Sequence, residues 1–320
     1  MTKKVLLAVA VLLVAVLLAA ATDRDYRPQY TKDGQLIFPA DYRQWQFVSS
    51  GLGMSYSASR PGAPRAPGFS NIFVQPWAYR SFKATGKWPD KTIFILEAYR
   101  SGTHASINKQ GYFQDSFNGI EAEVKDSEHS PDVWSYYNLG SNPTSAAALP
   151  KAACWECHDK NAAVEHSFTQ FYPELLDVAL QKKTVKEGIY IAPSLNRLRD
   201  LIVTQGWGEG ERALEDAKRH DGEASILDEA SLNALGYQLI AAKRGADAVK
   251  VMERAAREHP DSLNALDSLA DALVVAGEKE RAMEVSQAIL RKVEGEHTPF
   301  SDALAKASKE RMAVLSAAQP

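Results

Sequence analysis

Both cysteines of the chain fall in one pentapeptide, Cys154-Trp155-Glu156-Cys157-His158. Two residues between the thiols let both sulfurs reach the two vinyl groups along one porphyrin edge, and the adjacent imidazole then meets the iron from the same face. The spacing is that of c-type haem attachment: one covalent haem c, held by Cys154 and Cys157 and ligated by His158. A thioredoxin-like redox pair needs a βαβ unit around it, whereas GSNPTSAAALPKAA in front of Cys154 reads as loop. Structural zinc takes four ligands, and the chain has no second cysteine pair.

The N-terminus fits that chemistry. Lys3 and Lys4 precede an unbroken apolar run from Val5 to Ala21, and Ala19-Ala20-Ala21 offers the small residues that a signal peptidase accepts. A cleaved export signal over residues 1–22 is favoured over a retained membrane anchor, because the run is at the short end of a membrane-spanning length. Either way the body of the protein lies outside the cytoplasm, periplasmic or extracellular. An exported chain with two cysteines could pair them in a disulfide, but the spacing with His158 argues for haem.

Around this centre the 320 residues, 45% hydrophobic and 24% charged, are enough for two domains. The net charge of −3, with acids and bases interspersed, gives no basic field for nucleic acid. From Tyr26 to Ser130, short apolar runs alternate in the manner of antiparallel strands, clearest in TIFILEAY and GIEAEVKD. SRPGAPRAPG, with three prolines and two glycines, predicts an exposed loop, and DYRQWQFV fits either a short helix or an entry strand. After the haem motif the spacing turns helical, in PELLDVALQKKTVK and SLNRLRDLIVTQGW.

Beyond Gly210 a repeat emerges. Leu232, Leu235, Leu239 and Ala248 are matched 34 positions on by Leu266, Leu269, Leu273 and Ala282, the period of tetratricopeptide helix pairs. Gly236 and its counterpart Ala270 are small enough for close helix approach. ERALEDAKRH before the repeats and FSDALAKASKERMAVL after them predict capping helices. The fold class is thus α+β, multidomain. It comprises a β-rich haem domain over 23–180, a helical linker over 181–210, and a tetratricopeptide-like domain over 211–320. Stacked helix pairs present a concave surface suited to a redox protein partner, although a structural or dimerising role fits as well.

The haem stretch CWECH followed by NAAVEHSFTQFYP resembles the C-terminal signature of the cytochrome P-460 family. FPADYRQW, NIFVQPWAY, TGKWPDKTIFILEAY, and EVKDS with Trp134 after it are similar to that family's other segments in the same order. The resemblance covers roughly Phe38 to Leu176. It implies a β-rich, usually homodimeric haem domain in which His158 is the proximal ligand and the opposite axial position is left open to small nitrogen ligands such as NO or hydroxylamine. In the hydroxylamine-oxidising members a lysine on a strand cross-links to the porphyrin. In the related cytochromes c-prime-beta that bond is absent and apolar side chains crowd the distal face.

The alignment puts the cross-linking position near Leu96, and no lysine lies between Thr92 and Arg100; Lys87, Lys91 and Lys109 fall in turns or a loop. Phe94 and Leu96 share a strand face and are candidates for the apolar distal wall, with Glu97 on the other side. Glu121 and Glu123, also on one face, are candidates for a distal proton relay. A sealing sixth ligand would have to come from Met54, His104, His129 or His166, each in loop-like or surface sequence. Three functions follow: binding or redox processing of a small nitrogen ligand, enzymatic hydroxylamine oxidation, and electron transfer.

Overall fold

The computed structural model describes residues 26–55, 66–222 and 224–317, so the N-terminal apolar run and most of SRPGAPRAPG lie outside the described residues. The chain divides into two units, Met1–Ile189 and Tyr190–Pro320. Among the described residues no helix is long and apolar enough to cross a membrane.

The first unit is built on an antiparallel meander. Strands β2 (Gln46–Leu52), β3 (Phe69–Val74), β4 (Ile93–Gly102), β5 (Phe113–Lys125) and β6 (Trp134–Gly140) form one five-stranded sheet in chain order. The short β1 (Leu36–Ile37) and β7 (Ser145–Ala146) pair with each other. Because side chains alternate across a strand, the unbroken apolar run of β4 feeds two cores. Ile93 and Ile95 pack with Tyr42, Val124 and Tyr137 on one face, while Phe94 packs with Val74, Trp134, Tyr136 and Tyr172 on the other. Both faces are covered, which is why this strand reads as continuously hydrophobic.

DYRQWQFV resolves into both of its alternatives, a 3-10 turn at Tyr42–Gln44 leading directly into β2. The segment after β3 was less legible. QPWAYRSFKATG reads with the strands, but the chain forms helix α1 (Pro76–Thr85) there. Pro76 in the first turn presets the backbone, and Gly86, at φ 73°, ends the helix in the left-handed region. A Cβ on Gly86 would also come within 2.8 Å of Lys182 and Thr184, so the close approach to the end of a later helix requires glycine. That helix is α3 (Pro173–Lys182), and α2 (Trp155–Asn161) carries the haem motif.

The second unit consists of helices α4 (Leu195–Gln205), α5 (Trp207–His220), α6 (Glu229–Ala241), α7 (Gly245–Glu258), α8 (Leu263–Ala276), α9 (Lys279–Lys292) and α10 (Pro299–Ala317). The pairs α6/α7 and α8/α9 start 34 residues apart, at Glu229 and Leu263 and at Gly245 and Lys279. In the first of these pairs a Cβ on Gly236 would lie 2.5 Å from the Met252 methyl, so the missing side chain is the slot into which Met252 packs.

The linker expected over 181–210 is corrected. The division falls at Ile189/Tyr190, because Leu198 and Ile202 are fully buried in the helical core. Helices α4 and α5 form a further pair, with Leu198 and Leu201 standing 34 positions before Leu232 and Leu235. Here the packing is reversed: Ile202 of the first helix fits over Gly210 of the second, where a Cβ would meet it at 2.3 Å. Three stacked pairs meet the minimum at which such repeats bury a continuous core.

Met252 is fully buried. Replacing it with Ala should cost about 2–5 kcal/mol through lost contacts and the cavity left behind. Chemical denaturation followed by helical circular dichroism reads this directly; a loss below about 1 kcal/mol would contradict the packing described.

Candidate functional site

A cavity of about 330 Å³ opens against the sheet, within the range of about 300–1,000 Å³ usual for small-molecule and cofactor sites. Seven residues singled out as haem-attachment, distal-wall or relay candidates line it: Phe94 and Leu96 from β4, Glu121 and Glu123 from β5, and Cys154, Cys157 and His158 from α2. The sheet register brings the first four together, since Phe94 stands opposite Glu123 and Leu96 opposite Glu121. Tyr136 on β6, opposite Glu123, together with Phe168 and Tyr172, adds aromatic wall.

His158 is fixed by the chain that follows it. Helix α2 ends at Asn161, and a tight turn with a positive φ at Glu165 sends the backbone back, so that the His158 Nδ1 donates to the His166 carbonyl at 2.7 Å. This contact sets the tautomer and leaves Nε2 with the free lone pair. The turn is tied down by a buried knot. The Trp88 indole donates to Ser167 Oγ at 2.7 Å, and that hydroxyl also bonds Thr169 Oγ1 at 2.6 Å. Gln170 closes it, accepting from the Ala163 amide at 2.9 Å and donating to the Asn161 carbonyl at 2.8 Å. The residues SFTQ are thus explained by what they hold in place.

The His158 ring lies between Tyr136 and Phe168, with ring centroids at 4.5 and 4.3 Å. The Glu123 Oε1 sits 3.7 Å from Nδ1, and the Tyr136 hydroxyl approaches the same oxygen at 3.5 Å. Burial pushes the Glu123 carboxyl up, with His158 and Tyr136 opposing. Burial alone would lower the His158 imidazolium, but Glu123, the His166 carbonyl and Glu121 together outweigh it and the net shift is upward. The Cys154 thiol is pushed up by burial, then by Glu121 and Cys157.

Other candidates fall elsewhere. His166, expected at the surface in a continuing helix, is packed against Trp155 and Trp134 at 4.7 and 6.1 Å because the helix has already ended. His129 stacks on Tyr30, and neither it nor His104 lines the cavity. Met54 does line it. No lysine does among the described residues: Lys91 is held by Asp126 and Glu128, and Lys125 by Glu165 and the Trp88 carbonyl. Glu97 lies on the opposite sheet face from Leu96 as expected, buried and bound by Tyr42, Arg43 and Asn71.

Two free thiols, an imidazole with its Nε2 uncommitted and an aromatic cavity between them fit a covalently attached haem.

Residues 39–169 match the family model of cytochrome P460.

The P460 match covers the sheet, the attachment motif and the turn that orients His158, and the family implies a covalently bound haem c. No curated protein matches the chain. A solved structure described as "MamA MSR-1 C2" matches at 18% identity, over 47% of this chain and 82% of that chain, with a TM-score of 0.26. A likeness of that size defines neither fold nor function.

The first unit carries its own acid sensitivity. Burial works against the ionised forms of Glu97 and Asp126, but hydrogen bonds from Tyr42 and Arg43 in one case and Lys91 in the other hold both below their ordinary 4.5 and 3.8. A carboxylate with a depressed folded-state pKa stabilises the fold above its unfolded value and loses that contribution as pH falls through the folded one. The melting temperature of the domain should therefore hold steady above about pH 5 and drop below about pH 4, and Glu97→Gln should flatten that drop. A melting temperature independent of pH down to pH 3 in the unaltered protein would contradict this.

Proposed function

We propose that the P460 domain holds one haem c on Cys154, Cys157 and His158 and, outside the cytoplasm, binds or redox-processes a small nitrogen ligand such as nitric oxide or hydroxylamine. When bound, haem c would supply an iron, held by His158, that can exchange electrons and bind a small ligand. The observation that carries the reading is the makeup of the cavity. Its sheet wall offers the apolar Phe94 and Leu96 and the carboxylates Glu121 and Glu123, and no lysine among the described residues.

Each residue then has a defined task. His158, held through Nδ1, presents Nε2 to the iron. Phe94 and Leu96 exclude water and restrict entry to small ligands. Glu121, opposite Leu96, accepts a proton from a ligand that must lose one. With no lysine between Thr92 and Arg100, where the family resemblance puts the cross-linking lysine of the hydroxylamine oxidisers, ligand binding ranks ahead of hydroxylamine oxidation. The apolar run after Lys3 and Lys4 supports export, the stacked helix pairs support docking of a redox protein, and the family resemblance supports a homodimer.

Met54 favours a second reading. It lines the cavity, its sulfur folds over Gly51, and a methionine at the sixth position would make the domain an electron-transfer cytochrome.

Absorption spectra of the haem-loaded protein separate the two. The proposal expects high-spin ferric haem, a ferrous spectrum that shifts on adding nitric oxide, and no change on Met54→Ala. A low-spin ferric spectrum that turns high-spin in Met54→Ala would replace it with the electron-transfer reading. A strongly red-shifted ferrous Soret band that survives denaturation would instead mean a cross-linked, oxidase-like centre. His158→Ala should lose stable axial ligation while keeping the haem bound covalently through denaturing electrophoresis.

A further inference from the structure

Glu121 and Glu123 share a strand face and were expected to act together as a distal relay, but their surroundings differ. Glu121 is exposed. Glu123 has a side chain only 11% exposed, set on a strand paired on both sides, in register with Phe94 and Tyr136. Its Oε1 lies 3.7 Å from the Nδ1 of His158, the nitrogen that already donates to the His166 carbonyl and so cannot be the one that binds iron.

We propose that Glu123 is a positioning residue for the haem ligand: it acts on His158 from the side away from the iron and raises the electron-donating strength of Nε2. A negative group facing the Nδ1–H polarises the imidazole toward Nε2, in the way a second-shell carboxylate strengthens a metal-bound histidine. A stronger nitrogen donor stabilises the ferric over the ferrous state and stiffens the iron–nitrogen bond. Tyr136 and Phe168 hold the ring from its sides, so Glu123 is free to polarise it without being its only support. The relay role therefore belongs to Glu121 alone.

The inference rests on His158 ligating the iron. The experiment uses the full chain loaded with haem, with the midpoint potential measured by redox titration and the ferrous iron–histidine stretch by resonance Raman. Glu123→Gln should move the potential to more positive values and the stretch to lower frequency. Glu123→Asp keeps the charge but withdraws it by one methylene, and should move both in the same direction by less, which also covers the case in which the glutamine variant does not accumulate. Haem-loaded Glu123→Gln with both readings unmoved would overturn the proposal while leaving His158 as ligand. Failure of the ligation reading looks different: His158→Ala would then leave the unaltered protein's spectrum in place.

Discussion

The hydrogen bond from the His158 Nδ1 to the His166 carbonyl organises this domain. It joins a residue that can bind iron to a backbone group eight positions later, and the conspicuous residues between and just beyond the two serve to keep that carbonyl in place. The helix stops at Asn161, the chain turns through Glu165, and Ser167, Thr169 and Gln170 tie the turn to Trp88 and to the helix end. Hydrogen bonds inside a low-dielectric interior are strong when fully satisfied and costly when broken, so this knot is a rigid mount. The sheet supplies the other half of the site with side chains whose direction is fixed by register.

Much of the site was legible in the sequence because it depends on short-range rules. The two-residue gap between Cys154 and Cys157 fixes thiol spacing, and alternation along β4 and β5 puts Phe94 with Leu96, and Glu121 with Glu123, on single faces. What alternation could not give was depth. It places both carboxylates on one face, but only the packing of the α2 segment over β5 distinguishes the exposed Glu121 from the Glu123 that meets His158. His166 was read as a surface residue because its environment depends on where α2 ends. The end is set by the Gln170 bonds, which close only in three dimensions.

The same division holds for the fold. The repeat beyond Gly210 was readable because Leu232, Leu235, Leu239 and Ala248 recur 34 positions on and Gly236 has the small counterpart Ala270; the structure adds that Gly236 receives Met252. The pair α4/α5 keeps two of the period leucines, Leu198 and Leu201, but exchanges the small and large partners between its helices, with Ile202 against Gly210. A consensus pattern does not register that exchange, whereas packing is indifferent to which helix carries the glycine. Helix α1 was hidden for a different reason: its apolar residues adjoin a strand, and its limits are marked only by Pro76 and Gly86.

The central claim is that His158 alone of the side chains ligates the iron, facing an apolar wall. The most direct measurement is the electron paramagnetic resonance spectrum of the ferric, haem-loaded protein at neutral pH. The account predicts an axial high-spin signal. A rhombic low-spin signal that persists in the absence of added ligands would mean that a second side chain occupies the iron, and would contradict it.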